Sequence, residues 1–347
     1  MILEAIRKVV ERQDLTTEEA FAVMDEVMSG KATDAQIAAF LTALRMKGET
    51  VPELIGFARV MREKVSLVRT KARVTAALSG TDREMLVDTA GTGGDASGTF
   101  NVSTATAFVV AGAGIPVAKH GNRSASSLCG SADVVEALGV NLDLPAERVG
   151  RCVDEVGIGF CYAPLLHKAM RYVMLARKEI RIRTVFNLLG PLTNPAKAAA
   201  QIIGVYDGKL TGVLAQVLNE LGSVRAFVVH GADGLDEISN TGESLIAEVR
   251  DHKVHTYTVR PEDFGLPRCT LADLQGGSVA ENAEIIRRIL KGERGARRDI
   301  VLINAGAAIV AGGKAADMHE GVRLAAESID GGAALQKLER LVEYCGR

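Results

Sequence analysis

The sequence predicts an α/β protein, with a small N-terminal α-helical domain and a large α/β domain whose mostly parallel central sheet is flanked by helices. Three observations carry this prediction. Residues 1–72 hold helical spacing and repeated helix-start signatures. From Leu86 onward, short β-prone runs alternate with helical stretches. Two glycine-rich stretches, Gly91-Thr-Gly-Gly-Asp95 and Lys119-His-Gly-Asn-Arg123, fall where such runs end.

In order along the chain, Thr16-x-x-Glu19, Thr33-x-x-Gln36 and Thr50-x-x-Glu53 each match a capping box. Gly30 and Gly48 follow the first two helical runs as stops, and Pro52 sits where a helix start tolerates a missing amide proton. Ile37, Phe40, Leu41 and Leu44 recur at helical spacing and predict one buried stripe. Strands are then expected over Leu86 to Thr89, Ile115 to Ala118, Ile158 to Tyr162, Gln201 to Tyr206 and Ala226 to Val229. Helices are expected over Ser103 to Ala111, Ala132 to Leu138 and Pro145 to Val156. Leu245 to Val249 and Val254 to Val259 read as a hairpin or separate lobe, and the C-terminal region returns to helix. The expected domains are 1–72 and 73–347.

Composition narrows the function. Hydrophobic residues make up 47% of 347, aromatics only 4%, and glycines number 36, which fits a core of small aliphatic side chains with many tight βα turns. A net charge of −2 gives no global reason for nucleic-acid or membrane binding. The five cysteines are scattered without a C-x-x-C pair, so neither a disulfide framework nor a zinc site is indicated. No stretch has the makeup of a secretion signal or a membrane span, and a cytoplasmic protein is expected.

In open α/β sheets, ligands bind beyond the carboxyl ends of the strands, where both glycine-rich stretches are expected. Gly91, Gly93 and Gly94 would let an anion approach the main chain, and Asn101-Val-Ser-Thr104 opens a helix whose amides can face anionic oxygens. Lys119 and Arg123 could neutralise phosphate, Asn122 could bond a planar polar substrate, and the serines of 124–131 favour an anion site further. The adjacent carboxylates Asp236 and Glu237 suit magnesium, which takes one or two carboxylates beside water and phosphate oxygens. His120 and His167 read as hydrogen-bonded walls of the site. Neither the G-x-G-x-x-G fingerprint nor a P-loop is present.

With these motifs in order, the chain resembles the anthranilate phosphoribosyltransferases over almost its whole length. The likeness rests on Gly91 to Asp95, Asn101 to Thr104, Lys119 to Arg123, Cys129-Gly-Ser-Ala-Asp133, Ala163-Pro164 with His167, Arg183 to Pro195 and Leu235 to Ser239. It implies 5-phosphoribosyl 1-diphosphate (PRPP) and anthranilate as substrates, diphosphate as leaving group, two magnesium ions, and a homodimer built on the helical domain. On that analogy Gly91, Gly94, Asp95, Thr99, Asn101, Val102, Ser103 and Thr104 hold the donor. Lys119, His120, Gly121, Asn122, Arg123, Ser124, Ala125, Ser126, Ser127 and Ser131 complete its site. Ser103, Asp236 and Glu237 match magnesium ligands, while Asn122 and Arg177 match anthranilate contacts. Part of 167–186 is implied to rejoin the helical domain. The chain departs from the family pattern at Lys168, where proline is usual, and at Arg181, where glycine is usual. No general base is implied, since an aromatic amine is a usable nucleophile without prior deprotonation. Two rival readings are a pyrimidine nucleoside phosphorylase-like enzyme and a non-catalytic relative that binds nucleic acid through the basic Arg287 to Arg298 segment.

Overall fold

A computed structural model describes residues 1–71, 85–95, 97–124 and 128–346. The expected domain boundary at 72/73 and the candidate residues Ala125, Ser126 and Ser127 lie outside the described residues.

Four helices open the chain: α1 (Ile2–Val10), α2 (Thr17–Met28), α3 (Asp34–Lys47) and α4 (Val51–Lys64). The first two capping boxes form fully, with Thr16 and Thr33 hydroxyls accepting the amides of Glu19 and Gln36 at 3.2 and 3.3 Å. At the third, the Glu53 carboxylate accepts the Thr50 amide at 2.9 Å, but the Thr50 hydroxyl is buried without a partner. Glu53 has wider duties, accepting also from the Leu15 amide and the Lys47 ammonium, both at 3.0 Å. The stripe Ile37, Phe40, Leu41 and Leu44 is buried, and Phe40 meets Phe57 of α4 edge to face at 6.1 Å.

The α/β part begins with β1 (Val87–Gly91), α5 (Val102–Gly112), β2 (Val117–Gly121), α6 (Ser131–Ala137), α7 (Ala146–Val156), β3 (Ile158–Tyr162) and the short α8 (Ala163–Leu166). The chain then crosses back to the helices as α9 (Arg171–Ile180) and α10 (Val185–Leu192). Val173 and Ala176 of α9 and Val185, Phe186 and Leu189 of α10 share one apolar cluster with Phe40 and Phe57. It returns as β4 (Ala200–Gly204), α11 (Lys209–Glu220), β5 (Arg225–Gly231), β6 (Ser244–Arg250) and β7 (Lys253–Val259). Four helices close it: α12 (Val279–Leu290), α13 (Ala296–Ala311), α14 (Met318–Asp330) and α15 (Ala333–Cys345).

The sheet runs β3-β2-β1-β4-β5-β6-β7, parallel from β3 to β5 and antiparallel beyond. One face packs on α5, α12, α13, α14 and α15, and the other on α11 and the helical bundle. Val87 and Val117 start their strands later than the sequence suggests. Lys119, His120 and Gly121 are thus the last residues of β2, paired with Phe160 to Tyr162, rather than a following loop. The β6–β7 pair is a hairpin, but it extends the main sheet through β5 instead of standing as a separate lobe. All five cysteines are free.

Arg181, where the family pattern has glycine, ends α9 at φ 49° and ψ 32° in the left-handed region. A side chain there costs energy that glycine avoids. Arg181→Gly is therefore expected to stabilise the fold by about 1 kcal/mol, read as a higher urea midpoint with unchanged slope.

Candidate active site

The sheet order reverses between β1 and β4, and a crevice at such a point is where open α/β sheets bind ligands. Gly91 and Gly204 pair at the carboxyl ends of those two strands. Their lack of side chains is required by a third segment. A Cβ on Gly91 would come within 2.5 Å of Asp236 Oδ2, and one on Gly204 would run into the Asp236 main chain. The loop after β5 thereby drops Asp236 and Glu237 onto the Gly91–Asp95 turn.

There the carboxylates occupy the anion-binding amides. Asp236 Oδ2 accepts the Gly93 amide at 2.9 Å, and Glu237 accepts the amide of Ser103 in the first turn of α5. Enclosure and the nearby Asp95 carboxylate push Asp236 up to about 7, while enclosure and Asp236 raise Glu237 well above the usual carboxylate range. Among the described residues no three His, Cys, Asp or Glu side chains converge as a preformed metal cage. A crowded acid cluster with one cation below it nonetheless fits a divalent ion that takes only one or two carboxylates.

That cation is Lys119. Its buried ammonium donates to the Thr89 carbonyl at 2.5 Å and to Ser103 Oγ at 3.2 Å. Burial lowers it to about 8 against the opposing pull of Asp88 and Glu237. Asp88, fully buried in β1, accepts the His120 amide at 3.0 Å and is raised by burial to about 6.

His120 and His167 form a locked pair. His120 Nδ1 lies 3.1 Å from the Gly190 carbonyl, which can only accept, so Nδ1 carries the proton. Its Nε2 is then the acceptor for His167 Nε2 at 3.1 Å. Burial holds the two rings down at about 3 and about 4, so both stay neutral at physiological pH.

Other expected residues are arranged less directly. Asn122 is exposed, its Oδ1 accepting the Arg123 amide at 2.8 Å, and its carbonyl takes the Ser131 hydroxyl at 3.4 Å. Ser124 donates its amide to Asp133 at 3.1 Å. Arg123 does not reach toward the glycine-rich turn: it is paired with Asp133 at 2.9 Å and Glu136 at 2.8 Å and sits over Tyr162. Asn101 is structural in its contacts, bonding the Cys129 carbonyl at 3.1 Å and receiving the Asn282 amide at 3.3 Å. Asp95 is tied to the Ser97 hydroxyl at 2.6 Å, which also meets Thr99. Gly94 turns at φ 78°, Val102 and Thr104 are buried in the first turn of α5, and Gly121 ends β2 beside Ser131. Arg177 of α9 is half-buried over the Phe186 ring, 5.3 Å from its centre, with no ion pair among the described residues. Arg183, absent from the expected set, lies across Gly93 and Gly94; its only sequence signal is a place in the run Arg183 to Pro195.

A helical bundle joined to a sheet whose crevice presents glycine amides, a buried lysine and paired acids defines a two-domain glycosyl transferase. Sequence models of the glycosyl transferase family match residues 3–65 as its helical bundle domain and 83–335 as its a/b domain. The chain belongs to that family, among the anthranilate phosphoribosyltransferases. It is 57% identical over 346 residues to the anthranilate phosphoribosyltransferase of Geotalea uraniireducens, covering 99% of each chain. The crystal structure of anthranilate phosphoribosyltransferase from Thermus thermophilus superposes with a TM-score of 0.91 at 44% identity, covering 99% of both chains. The Saccharomyces cerevisiae enzyme in complex with PRPP and Mg gives 0.87 at 27% identity, covering 99% of this chain and 98% of that one.

Proposed function

We propose that the chain transfers the phosphoribosyl group of PRPP to the amine of anthranilate, releasing diphosphate, as a cytoplasmic step of tryptophan biosynthesis. The observation that supports this most is the meeting of the Gly91–Asp95 turn, Ser103, Lys119 and the Asp236–Glu237 pair at one sheet edge. Donor binding falls to Gly91, Gly94, Asp95, Thr99, Asn101 to Thr104, Lys119 to Ser127 and Ser131. Ser103, Asp236 and Glu237 hold magnesium, taken as two ions. Bound there, the metal supplies positive charge for the departing diphosphate.

The residues of the chain do the rest by position and field. Lys119 adds a fixed positive charge beside Ser103, and the amides now held by Asp236 and Glu237 are freed for phosphate oxygens. The His120–His167 pair, whose basicity burial lowers, offers no strong base, in keeping with a nucleophile that needs none. Arg177, without an ion pair among the described residues and partly desolvated, meets the anthranilate carboxylate. Arg177→Ala is expected to raise the anthranilate KM by about 10- to 100-fold with the PRPP KM nearly unchanged, measured at saturating donor.

We also propose that the helical domain is 1–72 joined by part of 167–186, and that it forms a homodimer. Leu3 and Val10 of α1, Met46 of α3, and Met174 and Leu175 of α9 leave large apolar side chains 52–71% exposed. The basic Arg287 to Arg298 segment gives little support to a nucleic-acid reading. Arg288 is paired with Glu293 and Arg298 with Asp330, while Arg287 and Arg297 bond main-chain carbonyls. Loss of anthranilate fluorescence with PRPP and magnesium tests the reaction. Phosphate-dependent nucleoside cleavage without that loss would overturn it.

A further inference from the structure

The donor proposed above carries several negative charges, and Arg123, the arginine its motif offers, must share its charge with Asp133 and Glu136. A different guanidinium lies over the glycine turn. Arg183 sits between α9 and α10, stacked on the Tyr206 ring with its central carbon 3.9 Å from the ring centre. Its Nη2 donates to the Gly93 carbonyl, and it forms no ion pair with any described carboxylate. Loop and arginine are fitted to one another, because a Cβ on Gly94 would run into that guanidinium. Gly93 is thus held at both ends, its amide by Asp236 and its carbonyl by Arg183. A carbonyl oxygen is a modest acceptor for a guanidinium, and a phosphate oxygen is a much stronger one that suits its planar fork. Stacking on Tyr206 keeps the plane aimed at the turn without consuming its donors.

We propose that Arg183 is a phosphate ligand of the donor site, its guanidinium leaving the Gly93 carbonyl for an oxygen of the PRPP diphosphate. This rests on the donor-binding reading, and the sign of one measurement separates it from a purely structural role. A strap that only holds the turn shut would, once cut, leave donor binding equal or tighter. A ligand, once removed, weakens it.

Calorimetric titration of the full chain with PRPP and magnesium, and separately with inorganic diphosphate and magnesium, is the test. Arg183→Gln is expected to weaken both by about 10- to 100-fold. Arg183→Lys should recover only part, lacking the fork, with the anthranilate KM unchanged in each. Should the glutamine variant not fold, the lysine variant alone must still lose diphosphate affinity. Unchanged or tighter binding in a folded variant overturns the proposal, whereas a wild-type chain that binds no PRPP overturns the reading beneath it.

Discussion

Replacing Asp236 and Glu237 together with alanine is expected to lower kcat/KM by about 4 kcal/mol, roughly a thousandfold or more. The same change should make the metal-free protein more tolerant of neutral pH. In the absence of a cation these carboxyls crowd against each other and Asp95, and the fold holds their protons more tightly than an unfolded chain would. Starting from ordinary values of 3.8 and 4.5, their stabilising contribution is complete in acid and fades as pH rises through about 7. Wild-type protein in chelator should therefore lose thermal stability between about pH 4 and pH 7, on the order of a few kcal/mol at most. Magnesium should restore it at neutral pH, because a ligand that binds only the folded state stabilises it. The double variant should show a flatter pH profile and no magnesium effect. Near-normal turnover, or an equal magnesium shift in the variant, would remove both residues from the metal site.

That trade of stability for a cation-ready pocket is half legible in the sequence. Asp236-Glu237 announces itself as adjacent acids past a β run, but their closeness to Asp95 comes from Gly91 and Gly204, which are remote in sequence and paired only by β1–β4 register. Local chemistry reads well elsewhere. Two capping boxes and the buried stripe of α3 need only neighbours within a turn or two, and they form as expected. β2 starts later than expected because Pro116, without an amide proton, cannot donate to the ladder, and the edge of β1 is set by its ladder partners Val117 and Ala200. The return of α9 and α10 to the helical bundle leaves no periodic mark, since an amphipathic helix does not say which core it joins. Arg123 and Arg183 depart from expectation for a related reason. An arginine's role depends on whether a carboxylate lies in reach, and Asp133 and Glu136 reach the first while no described carboxylate pairs with the second.

Lys119→Met should be nearly as damaging to catalysis, by about a thousandfold in kcat/KM for PRPP, and its effect on stability should depend on pH. The methylene stem is kept, so packing alone changes little. What disappears is a cation set against Ser103 Oγ at 3.2 Å and balancing Asp88 within the sheet. Burial has already raised Asp88 to about 6 with the ammonium present, so the folded chain favours its protonated form. Its contribution is full below the ordinary 3.8 and is lost as pH climbs past that raised value, more steeply once Lys119 is gone. The variant should accordingly gain on wild type near pH 5, where the ammonium is charged against its burial and Asp88 is protonated. It should lose about 3 kcal/mol at most of that advantage as pH rises to 8 and Asp88 ionises without its cation, and adding Asp88→Asn should flatten most of that change. Catalysis carries the opposite limb. Lys119 loses its proton near 8 because burial lowers it, so wild-type kcat/KM for PRPP should decline above that pH, and the residual activity of Lys119→Met should not. A decline of equal shape in both proteins would mean that another group, and not this ammonium, holds the departing charge.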